Sequence, residues 1–415
     1  MPLTLSRFAQ GLTAETAFDV LAVAKRLKAR GKDVVELQIG DSPFPTTQHA
    51  LRAGVEAIEQ NATHYCASLG LQSFREAVAA NFGREFGVPV TAENIVIGPG
   101  AKVFEQFFCE AVLDPGDAVL VFSPHFPTYG PNIERRGAQP IYVPLKQENQ
   151  FRPDLNAVEH FVKKTPHAKA IFLNSPHNPT GGVATESDLK ALADLIRGRD
   201  IAVFSDEPYC HMVWEGRHHA LLAQEGILDQ VVAAYTFSKS YSMSGWRVGY
   251  AVSSPRLIDT LGKMINTALS CVPPISQWAG QAALQHDARE RDEVMQRFHK
   301  KVRLLVDELR KVPGVEVLMP AGTFYAFPNV SAICRDLGMT SHGLAMYLLE
   351  GADDKFGVAC LGGECFGPAG QGFLRFSCAE PDERLSLAVH FLAEAITRRN
   401  HVRAFLGANP RHRAG

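Results

Sequence analysis

The segment 236–250, TFSKSYSMSGWRVGY, combines the residue types needed to hold a phosphorylated aldehyde covalently. Lys239 is flanked by the hydroxyl residues Thr236 and Ser238, and Arg247 follows eight positions later. A lysine amine becomes nucleophilic near neutral pH when burial or a neighbouring cation lowers its pKa. We therefore predict that Lys239 bonds to the aldehyde and that Arg247 and the hydroxyls bind the phosphate. Taken alone, the segment also fits a surface loop.

Four further features occur along the chain in a fixed order with this segment. They are Gly40 with Tyr65, the turn Asn178-Pro-Thr-Gly181, the sequence Asp206-Glu-Pro-Tyr209, and the strand Phe373-Leu-Arg-Phe-Ser377. Together they resemble the pyridoxal-phosphate-dependent enzymes of the aspartate aminotransferase family, class I/II, of fold type I. The resemblance spans most of the chain and implies pyridoxal 5'-phosphate (PLP) as the cofactor, bound covalently to Lys239.

The resemblance assigns catalytic roles to Lys239, Asp206 and Tyr209. Asp206 follows an apolar strand, and a carboxylate against the pyridine nitrogen keeps that nitrogen protonated and strengthens the ring as an electron sink. The alternative for Asp206 is a helix N-cap. Tyr209 and Asn178 are expected to donate to the phenolate oxygen of the cofactor, although Asn-Pro-Thr-Gly alone is also an ordinary turn sequence.

A second phosphate anchor is predicted at Gly100, Ala101 and Lys102. These residues follow a strand and open a helix, and the free N–H groups of a helix N-terminus favour an anion. The competing interpretation is a dinucleotide-binding fingerprint, but Val103 stands where its third glycine belongs.

The resemblance also implies roles for residues farther along the chain. Phe126 would stack on the cofactor ring, with a core phenylalanine as the alternative. Tyr65 would reach the phosphate of a neighbouring subunit, so the protein is expected to be a homodimer with shared active sites. Arg375 would bind the substrate carboxylate through two parallel hydrogen bonds, assisted by Asn178 and the backbone of Gly40.

Four histidines beside the motifs are interpreted as supporting or packing residues without a proton-transfer role: His64, His125, His177 and His211.

Apolar runs of strand length alternate with helical patterns from about 47 to 290. Such runs indicate a mostly parallel seven-stranded sheet covered by helices on both faces, with motifs at the strand ends where ligands bind. The expected strands are 95–97, 118–122, 140–143, 170–173, 202–204, 231–235 and 248–252.

A smaller α+β domain is expected from the remaining elements. They are a helix over 13–29, strands over 34–39, 315–318, 323–327, 357–359 and 373–376, and a frayed tail from 400.

With 415 residues, the chain is expected to form two domains. We predict a large cofactor-binding domain over 46–290 and a small domain combining 1–45 with 291–415. The formal net charge of −2 argues against a nucleic-acid partner, and the apolar runs are too short for a membrane span. The eight cysteines form no Cys-x-x-Cys pair, so neither a metal site nor a disulfide framework is expected. These features and the N-terminal sequence favour a cytoplasmic location.

The predicted reaction is transamination between an L-amino acid and a 2-oxo acid by a ping-pong mechanism. The donor would be aspartate-like, aromatic or small, and the acceptor 2-oxoglutarate. A cysteine-conjugate β-lyase would keep the same residues and is the main alternative. An NAD-binding oxidoreductase is less favoured because the third glycine of a dinucleotide site is missing. A non-catalytic PLP-binding sensor is less favoured because it would need a fused DNA-binding module, for which the sequence before the expected first helix leaves no room.

Overall fold

The computed structural model describes residues 3–11 and 15–414. Positions 13 and 14 of the predicted N-terminal helix therefore lie outside the described residues. Within these ranges the strands are β1 (Asp33–Glu36), β2 (Ile95–Gly98), β3 (Ala118–Ser123), β4 (Gln139–Pro144), β5 (Ala168–Asn174), β6 (Ala202–Asp206), β7 (Val231–Thr236), β8 (Gly249–Val252), β9 (Tyr325–Ala326), β10 (Phe356–Ala359), β11 (Leu361–Gly362) and β12 (Leu374–Ser377).

The α-helices of the described ranges are α1 (Arg7–Gly11), α2 (Thr16–Ala29), α3 (Gln48–Glu59), α4 (Gln72–Phe86), α5 (Lys102–Val112), α6 (Tyr129–Glu134), α7 (Leu155–Lys164), α8 (Glu186–Ile196), α9 (Phe237–Ser240), α10 (Pro255–Leu269), α11 (Pro274–His286), α12 (Ala288–Leu309), α13 (Ser331–Leu337), α14 (Ser341–Met346), α15 (Asp382–Ala395) and α16 (Arg399–Ala408). Short 3-10 and π turns connect several of them.

A seven-stranded sheet forms the centre of the molecule, in the order β2-β8-β7-β6-β5-β3-β4. Its strands are parallel except β8, which runs antiparallel to both β2 and β7. Strand β3 shows why both faces are covered, because Val119 and Val121 enter one hydrophobic core while Leu120 and Phe122 enter the other. The predicted α/β fold with a mostly parallel, helix-covered sheet is confirmed.

A third hydrophobic core joins the N-terminal segment to the last third of the chain. Val20 and Val35 pack there with residues of α12, α14 and α15. Strand β1 pairs in parallel with β10, and β11, β12 and β9 form an antiparallel sheet. The domain boundaries at 45/46 and 290/291 stay a prediction.

The strand predicted over 315–318 is wrong. Glu316 makes only an isolated bridge to Asn329, and Leu318 is 37% exposed. Pro320 follows closely and offers no N–H for a ladder. The apolar run therefore has the composition of a strand but no continuous pairing partner.

The prediction of a frayed tail from 400 is also wrong. Residues Val402, Phe405 and Leu406 are buried on one face of α16, at helical spacing. The ring of Phe405 lies 5.6 Å from that of Tyr347, and Arg413 bridges to the backbone of Met339. Burial of this apolar face holds the C-terminal helix against the third core. No helix in the described ranges is long and apolar enough to cross a membrane.

Candidate active site

A cavity of about 430 Å³ lies at the carboxyl ends of the parallel strands. It collects residues from both the central sheet and the third core, and every predicted site residue except Tyr65 lines it. Tyr65 is 86% exposed. The predicted residues that line the cavity are Gly40, Gly100, Ala101, Lys102, Phe126, Asn178, Asp206, Tyr209, Thr236, Ser238, Lys239, Arg247 and Arg375.

Lys239 is positioned by the short helix α9, which begins directly after β7. The hydroxyl of Thr236 caps this helix by accepting a hydrogen bond from the backbone N–H of Ser238 at 3.2 Å. Nζ of Lys239 donates to the carbonyl oxygen of Gly40 at 2.5 Å. The amine is therefore held by a neutral acceptor and points into the cavity.

Burial lowers the pKa of Lys239 to about 8, because an ammonium loses hydration there. The carboxylate of Asp41 raises this pKa, whereas the guanidinium groups of Arg375 and Arg247 lower it further. A substantial share of the amine is thus neutral, and able to act as a nucleophile or base, close to physiological pH.

Asp206 is the last residue of β6, and its buried carboxylate lies within electrostatic range of two other acidic residues, Glu105 and Glu207. The phenol of Tyr129 donates to its Oδ2 at 2.5 Å, and Nδ2 of Asn174 donates to its backbone carbonyl at 2.8 Å. Burial raises the pKa of Asp206 to about 7, the bond from Tyr129 lowers it, and the Glu207 charge raises it. Burial, and then the charge of Asp206, also raise the pKa of Glu105 well above its usual range.

Gly100 and Arg247 form a corner of the cavity at the start of α5. Gly100 has a φ of +90°, and a Cβ there would lie 2.8 Å from Nη2 of Arg247. The guanidinium donates to the backbone carbonyls of Ser244 at 2.8 Å and Pro99 at 2.9 Å. Helix N–H groups and a fixed guanidinium therefore meet in a space that only glycine keeps open, which suits a phosphate.

Lys102 is the first residue of α5, and its ammonium makes an ion pair with Glu15. The same ammonium lies 5.3 Å from the centroid of the Phe126 ring. The side chain of Lys102 is thus engaged at the cavity wall, whereas its backbone lies at the corner formed with Gly100 and Arg247.

Arg375 on β12 is 4% exposed and is bound by neutral groups. Its Nη1 donates to Oδ1 of Asn178 at 3.0 Å and its Nη2 to the carbonyl of Gln38 at 2.6 Å. The guanidinium lies over the rings of Tyr325 and Phe366, at 4.4 and 4.9 Å. Its Nε has no partner, and no carboxylate in the described part of the chain pairs with it. A buried charge of this kind is suited to a carboxylate ligand.

Sequence reasoning missed two tyrosines of the site. The hydroxyl of Tyr325 lies 3.0 Å from that of Tyr209, and a Cβ at Gly40 would lie only 1.8 Å from the Tyr325 hydroxyl. Tyr129 stands three positions after the predicted Phe126, and it is the residue that donates a hydrogen bond to Asp206. For Tyr325, a hydroxyl in the apolar run Phe324–Phe327 is the signal that could have identified it.

The four histidines lie outside the lining of this cavity. Burial lowers the pKa of His177 to about 3, so that ring is neutral. His211 bonds to the hydroxyl of Ser240, next to the cavity lysine, at 2.7 Å. His125 is buried and His64 is exposed.

No group of three or more His, Cys, Asp or Glu side chains in residues 3–11 and 15–414 could hold a metal ion.

Comparisons with known proteins identify the family of the chain. The family model "Aminotransferase class I and II" matches residues 32–392. A probable aspartate/prephenate aminotransferase of Aquifex aeolicus is 34% identical over 381 residues, covering 91% of this chain and 94% of that protein. An aspartate aminotransferase of Pyrococcus horikoshii is 31% identical over 367 residues, covering 88% and 91%. The aspartate aminotransferase of Thermus thermophilus with maleate superposes with a TM-score of 0.88 at 31% identity, covering 95% and 100%.

The chain belongs to the aminotransferase class I and II family. It is a PLP-dependent transaminase of amino acids, as the sequence resemblance predicted. The alternatives of a β-lyase, an NAD-binding oxidoreductase and a non-catalytic sensor are not better supported by these comparisons.

Proposed function

We propose that the protein transfers the amino group of an aspartate-like, aromatic or small L-amino acid to a 2-oxo acid, with 2-oxoglutarate as the acceptor. The reaction takes place in the 430 Å³ cavity. The observation that carries this proposal is that Lys239, Asp206 and Arg375 share one cavity. They supply an amine with a lowered pKa, a buried carboxylate and a guanidinium without a carboxylate partner. One donor and one acceptor alternate in the same site, so the kinetics are ping-pong.

The residues of the cavity fit PLP. Lys239 would bond to its aldehyde, and Arg247, Thr236, Ser238 and the backbone at 100–102 would hold its phosphate. The glycine at the corner beside Arg247 leaves the space that a phosphate requires. When bound, PLP acts as an electron sink that makes the α-proton of an amino acid acidic.

Asp206 would stand against the pyridine nitrogen of the cofactor. A carboxylate whose pKa is raised by burial gains most from a cationic partner, because the opposite charge offsets the lost hydration. The hydrogen bond from Tyr129 fixes the orientation of Oδ2 of Asp206 and favours the charged form of the carboxylate. Phe126 would stack on the ring, and Tyr209 and Asn178 would donate to its phenolate oxygen.

Lys239 is the base that we assign to the proton transfer. Once the amine of the substrate takes the place of Nζ at the cofactor aldehyde, Nζ would be free to take the proton from Cα of the amino acid. The pKa of about 8 leaves enough neutral amine for this step near pH 7 to 8. Arg375 would hold the α-carboxylate with two parallel hydrogen bonds, and Asn178 and the backbone of Gly40 would complete that contact.

We also propose a homodimer in which Tyr65 completes the site of the other subunit. Large apolar side chains are exposed on one face of α3, where Leu51, Val55 and Ile58 are 43%, 48% and 56% exposed. Trp278 on α11, the helix packed against α3, is 39% exposed. Such a surface favours association with a second copy of the chain.

A cytoplasmic location is part of the same proposal. The eight cysteines are all free thiols, and burial raises the pKa of Cys109, Cys360 and Cys378 above the ordinary thiol value. Thiols that carry no disulfide suit a reducing compartment.

A panel of amino donors against 2-oxoglutarate tests the proposed reaction. Release of a 2-oxo acid together with an equal amount of glutamate supports transamination. Release of thiol or ammonia with pyruvate from a cysteine conjugate, without glutamate, would instead favour the β-lyase.

A further inference from the structure

An ion pair between Lys102 and Glu15 forms part of the cavity wall. The two side chains are 46% and 14% exposed, respectively. Both residues also line a neighbouring cavity of about 820 Å³. The pair therefore lies where the two cavities meet, and it shares the lining of the first cavity with Lys239.

Large apolar side chains occupy the wall on either side of this pair. Phe18 lines the cavity although it is 58% exposed, and Ile39, Leu361 and Phe366 also contribute. The Phe126 ring packs beneath the Lys102 ammonium. An uncharged side chain can contact these surfaces without disturbing the ion pair.

A dicarboxylic substrate differs from an uncharged one because its distal carboxylate requires a cationic partner in the cavity. In the described part of the chain the other cations lining the cavity are Lys239, Arg247 and Arg375, and each already has an assigned role. Lys102 is thus the cation available to a distal carboxylate. A carboxylate that reaches it must share the ammonium with Glu15 or displace it, and in both cases the Glu15 charge repels it.

We propose that Glu15 is a specificity-determining residue that competes with the distal carboxylate of a substrate for Lys102. The competition favours amino acids and 2-oxo acids with uncharged side chains over aspartate, glutamate and 2-oxoglutarate. This inference rests on the proposed transamination at the same site, in which 2-oxoglutarate still reacts but with a raised KM.

The substitution Glu15→Gln tests the competition in the holoenzyme. It keeps the size of the side chain and removes the charge that holds Lys102. The ratio of kcat/KM for aspartate to that for phenylalanine is expected to rise about two- to fivefold, mainly through KM, as for release of a partly exposed ion pair. The Kd of maleate, measured by calorimetry, should fall by a similar factor while that of 3-phenylpropionate stays unchanged.

Two further variants separate local from general effects. Asp41→Asn removes another carboxylate that acts on Lys239 through space but makes no pair with Lys102, so it should leave both ratios unchanged. In a Lys102→Met background, Glu15→Gln should no longer change the aspartate-to-phenylalanine ratio, because the residue it competes for is gone.

The inference is overturned if Glu15→Gln leaves the aspartate-to-phenylalanine ratio unchanged. It is also overturned if Asp41→Asn raises that ratio equally, or if Glu15→Gln still raises it in the Lys102→Met background. If the wild-type chain transaminates no donor, the proposed function fails separately. The maleate measurement then still decides whether Glu15 competes for Lys102.

Discussion

The phenol of Tyr129 donates to Oδ2 of Asp206 at 2.5 Å, which links the start of α6 to the end of β6. Both groups are buried, and the carboxylate has the Glu207 charge close by. Burial alone would hold Asp206 protonated, whereas the hydrogen bond favours its charged form. Tyr129 therefore influences whether Asp206 carries its charge near neutral pH.

Tyr129→Phe should destabilise the cofactor-free protein more at pH 8 than at pH 5. The pKa of Asp206 is about 7 in the folded protein, against an ordinary value of 3.8. The contribution of Asp206 to the free energy of unfolding is therefore fully present below pH 3.8 and is lost as the pH rises through about 7. In Tyr129→Phe the buried carboxylate at pH 8 loses a charged hydrogen bond. The free energy of unfolding should therefore fall by about 1–2 kcal/mol more at pH 8 than at pH 5. Urea unfolding at both pH values measures the difference.

Tyr347→Phe is the matched control for that experiment. Its hydroxyl donates to the carbonyl of Ala395 at 3.0 Å, a bond between neutral groups in the third core. The free energy of unfolding should fall equally at pH 5 and pH 8. An equal loss at both pH values in Tyr129→Phe as well would contradict the role assigned to its bond.

The amine of Lys239 should titrate with a midpoint near pH 8 in the cofactor-free protein. Only the neutral amine reacts with an aldehyde, so trapping of propionaldehyde by borohydride should accelerate as pH rises through 8 and then level off. Peptide mapping locates the label, and Lys239→Ala should lose it. Asp41→Asn should move the midpoint lower, because the Asp41 carboxylate raises this pKa. A midpoint near the ordinary 10.5 would refute the assignment.

Arg375→Lys should remain folded and keep its cofactor, but lose catalytic efficiency toward amino acids. A lysine cannot form two parallel bonds with a carboxylate, and the loss of one charged hydrogen bond corresponds to roughly 10- to 100-fold in kcat/KM. Amines that lack a carboxylate should be affected far less. Steady-state kinetics with both substrate classes decide the question, and equal losses for the two would show that Arg375 does not bind the α-carboxylate.

Mixing Tyr65→Ala with Lys239→Ala should restore activity if sites are shared between subunits. One of the two sites in each heterodimer then has both residues, so up to about half of the activity per heterodimer is recovered. Ile58→Glu, which places a charge on the exposed face of α3, should weaken the dimer in sedimentation and abolish this recovery. A fully active wild-type monomer would be incompatible with the proposal.

The central sheet could be predicted from the sequence because its strands are short and almost entirely apolar. Strand β3 is buried along its whole length, and this pattern distinguishes a doubly covered strand. The antiparallel direction of β8 could not be predicted, since side-chain patterns do not record strand direction. The run 315–318 places Glu316 between apolar residues, a pattern that a half-buried strand also shows, but it lacks a continuous neighbour, so only the tertiary structure could exclude it.

The residues of the cavity were predictable where a motif follows a strand, as with Lys239 and Asp206. Residues that act through distant contacts were not. Gln38 offers only a backbone carbonyl, and Tyr325 reaches Tyr209 from 116 positions away. Neither relationship leaves a local pattern in the sequence, because each depends on how the two parts of the chain pack together.

Three of the four cations that line the cavity in the described part of the chain, all except the paired Lys102, are held by backbone carbonyls, and this has a kinetic consequence. Lys239, Arg247 and Arg375 donate to the carbonyls of Gly40, Ser244, Pro99 and Gln38, which orient them without cancelling their charge. Although the whole chain carries a formal charge of −2, a concave wall of this kind focuses a positive potential toward its opening. We therefore expect anionic substrates to be steered into the site from solution, and we expect added salt, which shortens the range of that field, to slow their arrival more than their chemistry.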